Sequence, residues 1–290
     1  MKVYIDKCED YEESYEKAKE LLKKCNFKVK GKKVLLKPNL VTGSSSQSGI
    51  TSDVSLARAI LDKLDDCEVT VGNDFDYFRD LGYDKLEKEY NCKVVSFDKL
   101  PKKDIIEVKV PNPFKFDKIP IARDALEADY IVSLAKLKIH GLCQVTMSLK
   151  NMFGCVPTRK HRIRIHPSIR IALLDILQIK YPNFGLIDGV IGNQMDEVAS
   201  NPINHGILLA SKDCLGLDVV GTRCMGIHEE EIEFLKRAMK FYKFKEEKIE
   251  VIGEQVENVM KPYDRRKGLS THLRYLKEQA VAKYVELFKV

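Results

Sequence analysis

Nowhere does this 290-residue sequence hold an apolar run near the ~18 residues a membrane-spanning helix needs, which excludes a helical membrane span. Its start, Met1-Lys-Val-Tyr-Ile-Asp-Lys7, has no signal-peptide apolar core. The expectation is a cytoplasmic protein with no membrane partner. The eight cysteines are scattered and no two have C-x-x-C spacing. That removes the motif basis for ferredoxin-type clusters and zinc knuckles, and leaves most of the cysteines as small buried hydrophobes. There is no Walker or dinucleotide glycine spacing, no internal repeat, and no low-complexity tract beyond Thr42-Gly-Ser-Ser-Ser-Gln-Ser-Gly49. The local absence of acid is more informative. Residues 130–174 contain no Asp or Glu, although the chain carries 43. The same stretch holds eight Lys or Arg and three of the six His, so the net charge of +6 arises wholly there.

The remaining composition, 44% hydrophobic and 32% charged, describes a folded globular chain. Apolar runs at Lys2–Ile5, Lys33–Lys37, Glu68–Gly72, Lys93–Ser96, Ile105–Val110, Asp129–Leu134, Phe184–Asp188 and Gly206–Ala210 alternate with amphipathic helical patterns. Asp53 or Ser52 and Asp213 are set to cap two of those helices. Such alternation predicts an α/β fold: a mainly parallel sheet flanked by helices, with a charged helical C-terminal part. Residues 1–260 read as one domain. Residues 261–290 read as a basic linker and an amphipathic helix over 273–288 packed on it.

Within the basic stretch, Lys136-Leu-Lys-Ile-His140 as a strand puts Lys136, Lys138 and His140 on one face. Thr146 to Gly154 reads as a short helix with Thr146 as N-cap, and Thr146 and Lys150 on one side. Lys160 to His166 again alternates, and an extended reading puts Arg162, Arg164 and His166 together. Converging basic strips without acid repel one another unless an anion joins them. In parallel sheets ligands bind beyond the carboxyl ends of the strands. Three such ends carry polar residues: Lys37-Pro-Asn39, Asn73-Asp74 and Lys136–His140. The serine-rich loop after Lys37 reads as a lid or as an ordinary solvent loop. Asp188, ending a strand before Gly189, could serve as a general base, a magnesium ligand or a counter-charge to the lysines.

These residues also carry a resemblance. Lys37-Pro-Asn-Leu-Val41, Leu134-Ala-Lys-Leu-Lys-Ile-His140, Thr146-Met-Ser-Leu-Lys-Asn-Met-Phe-Gly154, His166, Ile187-Asp-Gly189, Ser211-Lys-Asp213 and Leu217-Asp218 resemble the DUF362 family over roughly residues 30–228. The family's biochemical role is not established. Many relatives carry a ferredoxin-like iron–sulfur module, whose motif this sequence does not contain. It also departs from its relatives at Glu197-Val-Ala-Ser-Asn-Pro202, where they tend to be rich in Gly and Pro. The resemblance picks out Lys37, Asn39, Lys136, Lys138, His140, Thr146, Lys150, Asn151, His166 and Asp188 as motif positions, most of them already selected by charge.

The expected function is a small-molecule enzyme or ligand-binding protein for a phosphorylated or carboxylated ligand. Lys37, Lys136, Lys138, Thr146 and Lys150 would bind the ligand, Asn39 and Asn151 would orient it, and His140, His166 and Asp188 would move protons, with or without Mg²⁺. One alternative is a transition-metal or iron–sulfur role, with His140, Cys143, Cys155 and His166 as candidate ligands. Another is nucleic-acid binding through residues 130–174 and 261–267. Only Phe153 offers an aromatic ring near those charges in the sequence. An oligomer is compatible with all three.

Overall fold

The computed structural model describes residues 1–265 together with Leu276 and Ala280. The helix expected over 273–288 therefore lies outside the described residues, save for those two. Among the described residues nine strands form the main sheet. In chain order they are β1 (Lys2–Lys7), β2 (Lys33–Pro38), β3 (Glu68–Asn73), β4 (Lys93–Ser96), β5 (Tyr130–His140), β6 (Gln144–Thr146), β7 (Phe184–Asn193), β8 (Pro202–Ser211) and β9 (Glu250–Gly253). Their spatial order is β9-β1-β8-β7-β5-β2-β3-β4, with the short β6 paired to β5. Strands β4, β3, β2, β5 and β7 are parallel. β8 runs against both β7 and β1, and β9 is parallel to β1.

Strand periodicity divides the core in two. Val34, Leu36, Val132 and Leu134 meet Leu21, Leu22, Leu56 and Ile60 from α1 (Ser14–Lys24) and α2 (Val54–Leu61) on one face. On the other face, Leu35, Ala135, Leu137 and Ile139 join Leu173 and Ile176 of α5 (Ile169–Ile179). They also meet Val219 and Val220 of α6 (Cys214–Cys224) and Phe234 and Leu235 of α7 (Glu233–Phe241). Each fully buried aliphatic side chain contributes roughly 1.5–3 kcal/mol. The caps are those expected: Asp53 accepts from Ser55 N at 2.8 Å, and Asp213 from Gly216 N at 2.7 Å.

Four local expectations are corrected. Residues 159–165 are helical, forming α4 (Arg159–Ile165) rather than a strand. The short helix α3 (Ser148–Asn151) begins after β6, and Thr146 ends that strand instead of capping α3. Strands β7 and β8 extend into both ends of the span 189–204 read as a loop, leaving 194–201 as the connection, with a bulge between Gly189 and Ile191. Finally, Ile105–Lys109 leaves the main sheet and pairs with Lys118–Ala122 in a separate antiparallel ribbon. Among the described residues no helix is long and apolar enough to cross a membrane.

Candidate functional site

A cavity of about 1050 Å³ opens beyond the carboxyl ends of β2, β3 and β5. Its polar wall is built from Asn39, Asp74, Lys138, His140, Thr146 and Lys150. Helix α4 supplies Arg159, Arg162 and Ile163, and His166 follows directly. Positions 159, 162, 163 and 166 form a helical stripe, which replaces the expected face of 162, 164 and 166. Arg164 does not line the cavity. Phe75 and Tyr77 join Phe153, so the wall has more aromatic surface than the sequence indicated.

Alternation along β5 puts Lys136, Lys138 and His140 on the face that Val132 and Leu134 fill deeper in the sheet. Only Lys138 and His140 of these reach the cavity. Lys136 is fully buried beneath it and pairs with the equally buried Asp188, Nζ to Oδ2 at 2.9 Å. Burial pulls Lys136 down and Asp188 up, towards neutrality, and the charge of each partner opposes that. Lys136 also donates to the Tyr11 hydroxyl at 2.5 Å. That hydroxyl donates to Asp188 at 3.1 Å, and Asp53 N donates to Asp188 at 3.0 Å. Asp188 thus sits where a counter-charge would, with its oxygens engaged.

This buried cluster also fixes the serine loop. Tyr11 reaches Ser46 O, Ser46 Oγ donates to Asp53, and Lys138 Nζ donates to Ile50 O at 2.6 Å. Gly49 lies at φ +75°, and a Cβ there would come within 2.2 Å of Gly192 O, so only glycine fits. The second half of the loop is therefore docked on the sheet, while Gly43–Ser45 remain exposed.

Lys37 is buried beside the cavity floor. Its Nζ donates to Pro38 O and Asn73 Oδ1, both at 2.7 Å, and meets Asp74 at 3.6 Å. Burial lowers its pKa, and Asp74 partly restores it. Asn151 has a fixed orientation: its Nδ2 donates to Lys37 O and Ser133 Oγ, leaving Oδ1 to accept from Asn39 Nδ2 at 3.1 Å. Asn39 Oδ1 is then buried without a partner, and so is Thr146 Oγ1. Both residues line the cavity.

Helix α3 is too short to hold its first turn alone. Asp218 of α6 accepts from Ser148 N at 2.8 Å and Leu149 N at 2.9 Å. Burial pushes its carboxyl up to about 7 against those two donors. Asp218 belongs to the Leu217-Asp218 motif, and the sequence alone does not show what it binds. An aspartate within an otherwise buried helix was the available signal.

The cavity's carboxylates are committed. Asp98 binds Arg162 at 2.8 Å, Asp74 faces Arg162 at 3.7 Å and Lys37 at 3.6 Å, and Glu197 faces His140 Nε2 at 3.9 Å. Lys150 and Arg159 take part in none of these pairs. Lys150 lies over the Phe153 ring, 5.7 Å from its centroid. The His140 and His166 rings are 5.7 Å apart. His140 Nδ1 accepts from Leu142 N and Cys143 N. Cys143 and Cys155 are buried and do not line the cavity. Among the described residues no group of three or more His, Cys, Asp or Glu is arranged to hold a metal ion.

A family model described as a domain of unknown function, DUF362, matches residues 34–223. That span includes every cavity-lining residue. A thylakoid-associated protein of Synechocystis sp. is 25% identical over 212 residues, covering 68% of this chain and 64% of that protein. The match thus spans less than two-thirds of that relative's length. Among solved structures, the lactate racemase apoprotein from Thermoanaerobacterium thermosaccharolyticum aligns with a TM-score of 0.46 and 12% identity, over 78% of this chain and 57% of that one.

Proposed function

The chain belongs to the DUF362 family, and from that premise we propose that it is a small-molecule enzyme or ligand-binding protein for an anionic ligand, phosphorylated or carboxylated. The observation that carries the proposal is the imbalance in the cavity wall. Its acids are already engaged by Arg162, Lys37 and His140, while Lys150 and Arg159 stand outside those pairs. A phosphate or carboxylate there would gain charge-assisted hydrogen bonds in a partly desolvated site. Thr146 Oγ1, buried and unpartnered, would donate to the anion, and the equally unpartnered Asn39 Oδ1 would accept from a hydroxyl or amine elsewhere on the ligand. His140 and His166, facing the same space, are the proton carriers in this reading. Lys37, Lys136 and Asp188 act from behind the wall, as the charged scaffold that positions it. A concave site of about 1050 Å³ favours a small molecule over an extended strand of nucleic acid.

Calorimetric titration of the wild type and of Lys150→Ala and Arg159→Ala with inorganic phosphate and with small carboxylates tests this. Each variant should weaken binding roughly tenfold or more while its melting curve stays cooperative. Equal binding by all three proteins would remove the site assignment. Tight binding of generic RNA or DNA with steep salt dependence would favour the nucleic-acid alternative instead.

A further inference from the structure

Lys138 differs from the other cavity cations. It is fully buried, it lines the cavity, and its Nζ is held by two main-chain carbonyls, Ile50 O at 2.6 Å and Glu197 O at 3.3 Å. A neutral amine has two N–H bonds and one lone pair. Two carbonyls therefore satisfy both of its hydrogens and leave the pair over. An ammonium would carry a third N–H, and among the described residues no further acceptor takes it. Lys150 and Lys136 also disfavour a charge at Nζ, whereas Glu197 and Asp74 favour one; burial decides the balance and moves Lys138 well below the usual lysine range.

We propose that Lys138 is an imine-forming lysine, acting on a ligand that carries an aldehyde or ketone beside its phosphate or carboxylate. The proposal rests on the anionic-ligand reading for the second half of that description. In the step itself the Nζ lone pair adds to the carbonyl carbon, and the C=O π pair moves to oxygen. The two amine protons end on that oxygen, which leaves as water, and a C=N bond remains; no oxidant or reductant enters. His140 lies two residues along the same strand face, with Nε2 turned towards Glu197, and is placed to pass protons to the departing oxygen. Ile50 directly follows the serine loop, and Glu197 lies in the turn between β7 and β8. The amine thus passes from two loop carbonyls to the incoming carbon. Phe75, Tyr77 and Phe153 give the cavity room for a planar conjugated group.

Pyridoxal 5′-phosphate, a phosphorylated aromatic aldehyde, is the probe. The full chain is treated at neutral pH with less than one equivalent, reduced with borohydride, digested and mapped by mass spectrometry. The expected result is a label on Lys138 at least roughly tenfold above any other lysine, suppressed by inorganic phosphate. Labels spread over exposed lysines with Lys138 unmodified overturn the proposal. If phosphate still binds in that case, the anionic-ligand reading survives alone. A label on Lys138 that phosphate does not suppress keeps the imine and removes the anion. Lys138→Met and Lys138→Arg should both abolish the label. Because a buried lysine can be required for folding, the wild-type map decides by itself.

Discussion

Lys37, Lys136 and Lys138 crowd one end of the sheet, and each is kept there by different chemistry. Lys37 leans on a carboxamide, a carbonyl and a partly exposed aspartate, Lys136 on a buried aspartate and a phenol, and Lys138 on two carbonyls. Removing one member of a buried pair strands the other's charge, which costs about 3–5 kcal/mol, whereas replacing both with apolar groups can be neutral. Asp188→Asn should accordingly lose several kcal/mol in urea unfolding, and Lys136→Met combined with Asp188→Leu should lose less. A double variant as unstable as the single would mean that the hydrogen bonds from Tyr11 and Asp53 dominate over the ion pair. Most of these residues could be named in advance because strand alternation and the absence of acid both pointed to them. Their division could not. Whether a lysine on that face meets the cavity or a buried aspartate depends on which strand lies next to it. The sequence does not state that β7 is that neighbour.

Helices and strands were legible where several signals agreed. Asp53 and Asp213 each precede an apolar helical pattern, and both cap as read. Lys160–His166 reads as extended because Arg162-Ile-Arg-Ile165 alternates, and four residues are too few to tell a strand period from a helical one. The helix prevails because it puts Ile165 in the core and Arg162 against Asp98. Gly189, Gly192 and Asn193 looked like turn residues, yet they lie within β7. A Cβ on Gly192 would come within 1.8 Å of the Tyr263 hydroxyl, so that glycine serves close packing. Two predictions concern how elements are joined. Asp218→Ala would leave two buried N–H groups at the start of α3 without acceptors. It should cost about 1–3 kcal/mol for each and weaken phosphate binding through Lys150, whereas Asp218→Asn should cost less. His205 of β8 is buried, bound to Tyr263 through Nδ1 and to Val259 O through Nε2, and burial pushes it down to about 4. The unfolded chain takes up that proton near pH 6.5, before the folded one does. Stability from this residue is therefore complete above 6.5 and falls as pH drops towards 4, by about 3 kcal/mol in all. In His205→Gln, urea midpoints measured across that window should be flatter.

For the molecule as a whole, a ligand that binds only the folded state raises its stability by mass action. Phosphate at a hundred times its dissociation constant should add about 2.7 kcal/mol, or about 5–10 °C in melting temperature. The gain should shrink in Lys150→Ala. A melting curve indifferent to phosphate and to carboxylates would argue against the cavity as an anion site. The layering itself was readable from the alternation of strands and helices, which sets the class of fold. The strand order was not, because it depends on pairings far apart in the chain.

The place of β1 has a consequence for how the chain is made. Strand β1 leaves the ribosome well before its two sheet partners, β8 and β9, whose residues begin at 202 and 250. It has no sheet partner until β8 has been synthesised. The segment that follows it brings Tyr11, whose partners Lys136 and Asp188 also come late. At a synthesis rate of about 5–20 residues per second, β1 waits roughly ten seconds or more with both strand edges bare. The closing of the sheet then depends on contacts of very long sequence separation, the slowest kind to form. A nascent chain arrested before β8 should therefore expose its N-terminal segment to proteolysis, and the same segment should become protected once β9 has emerged.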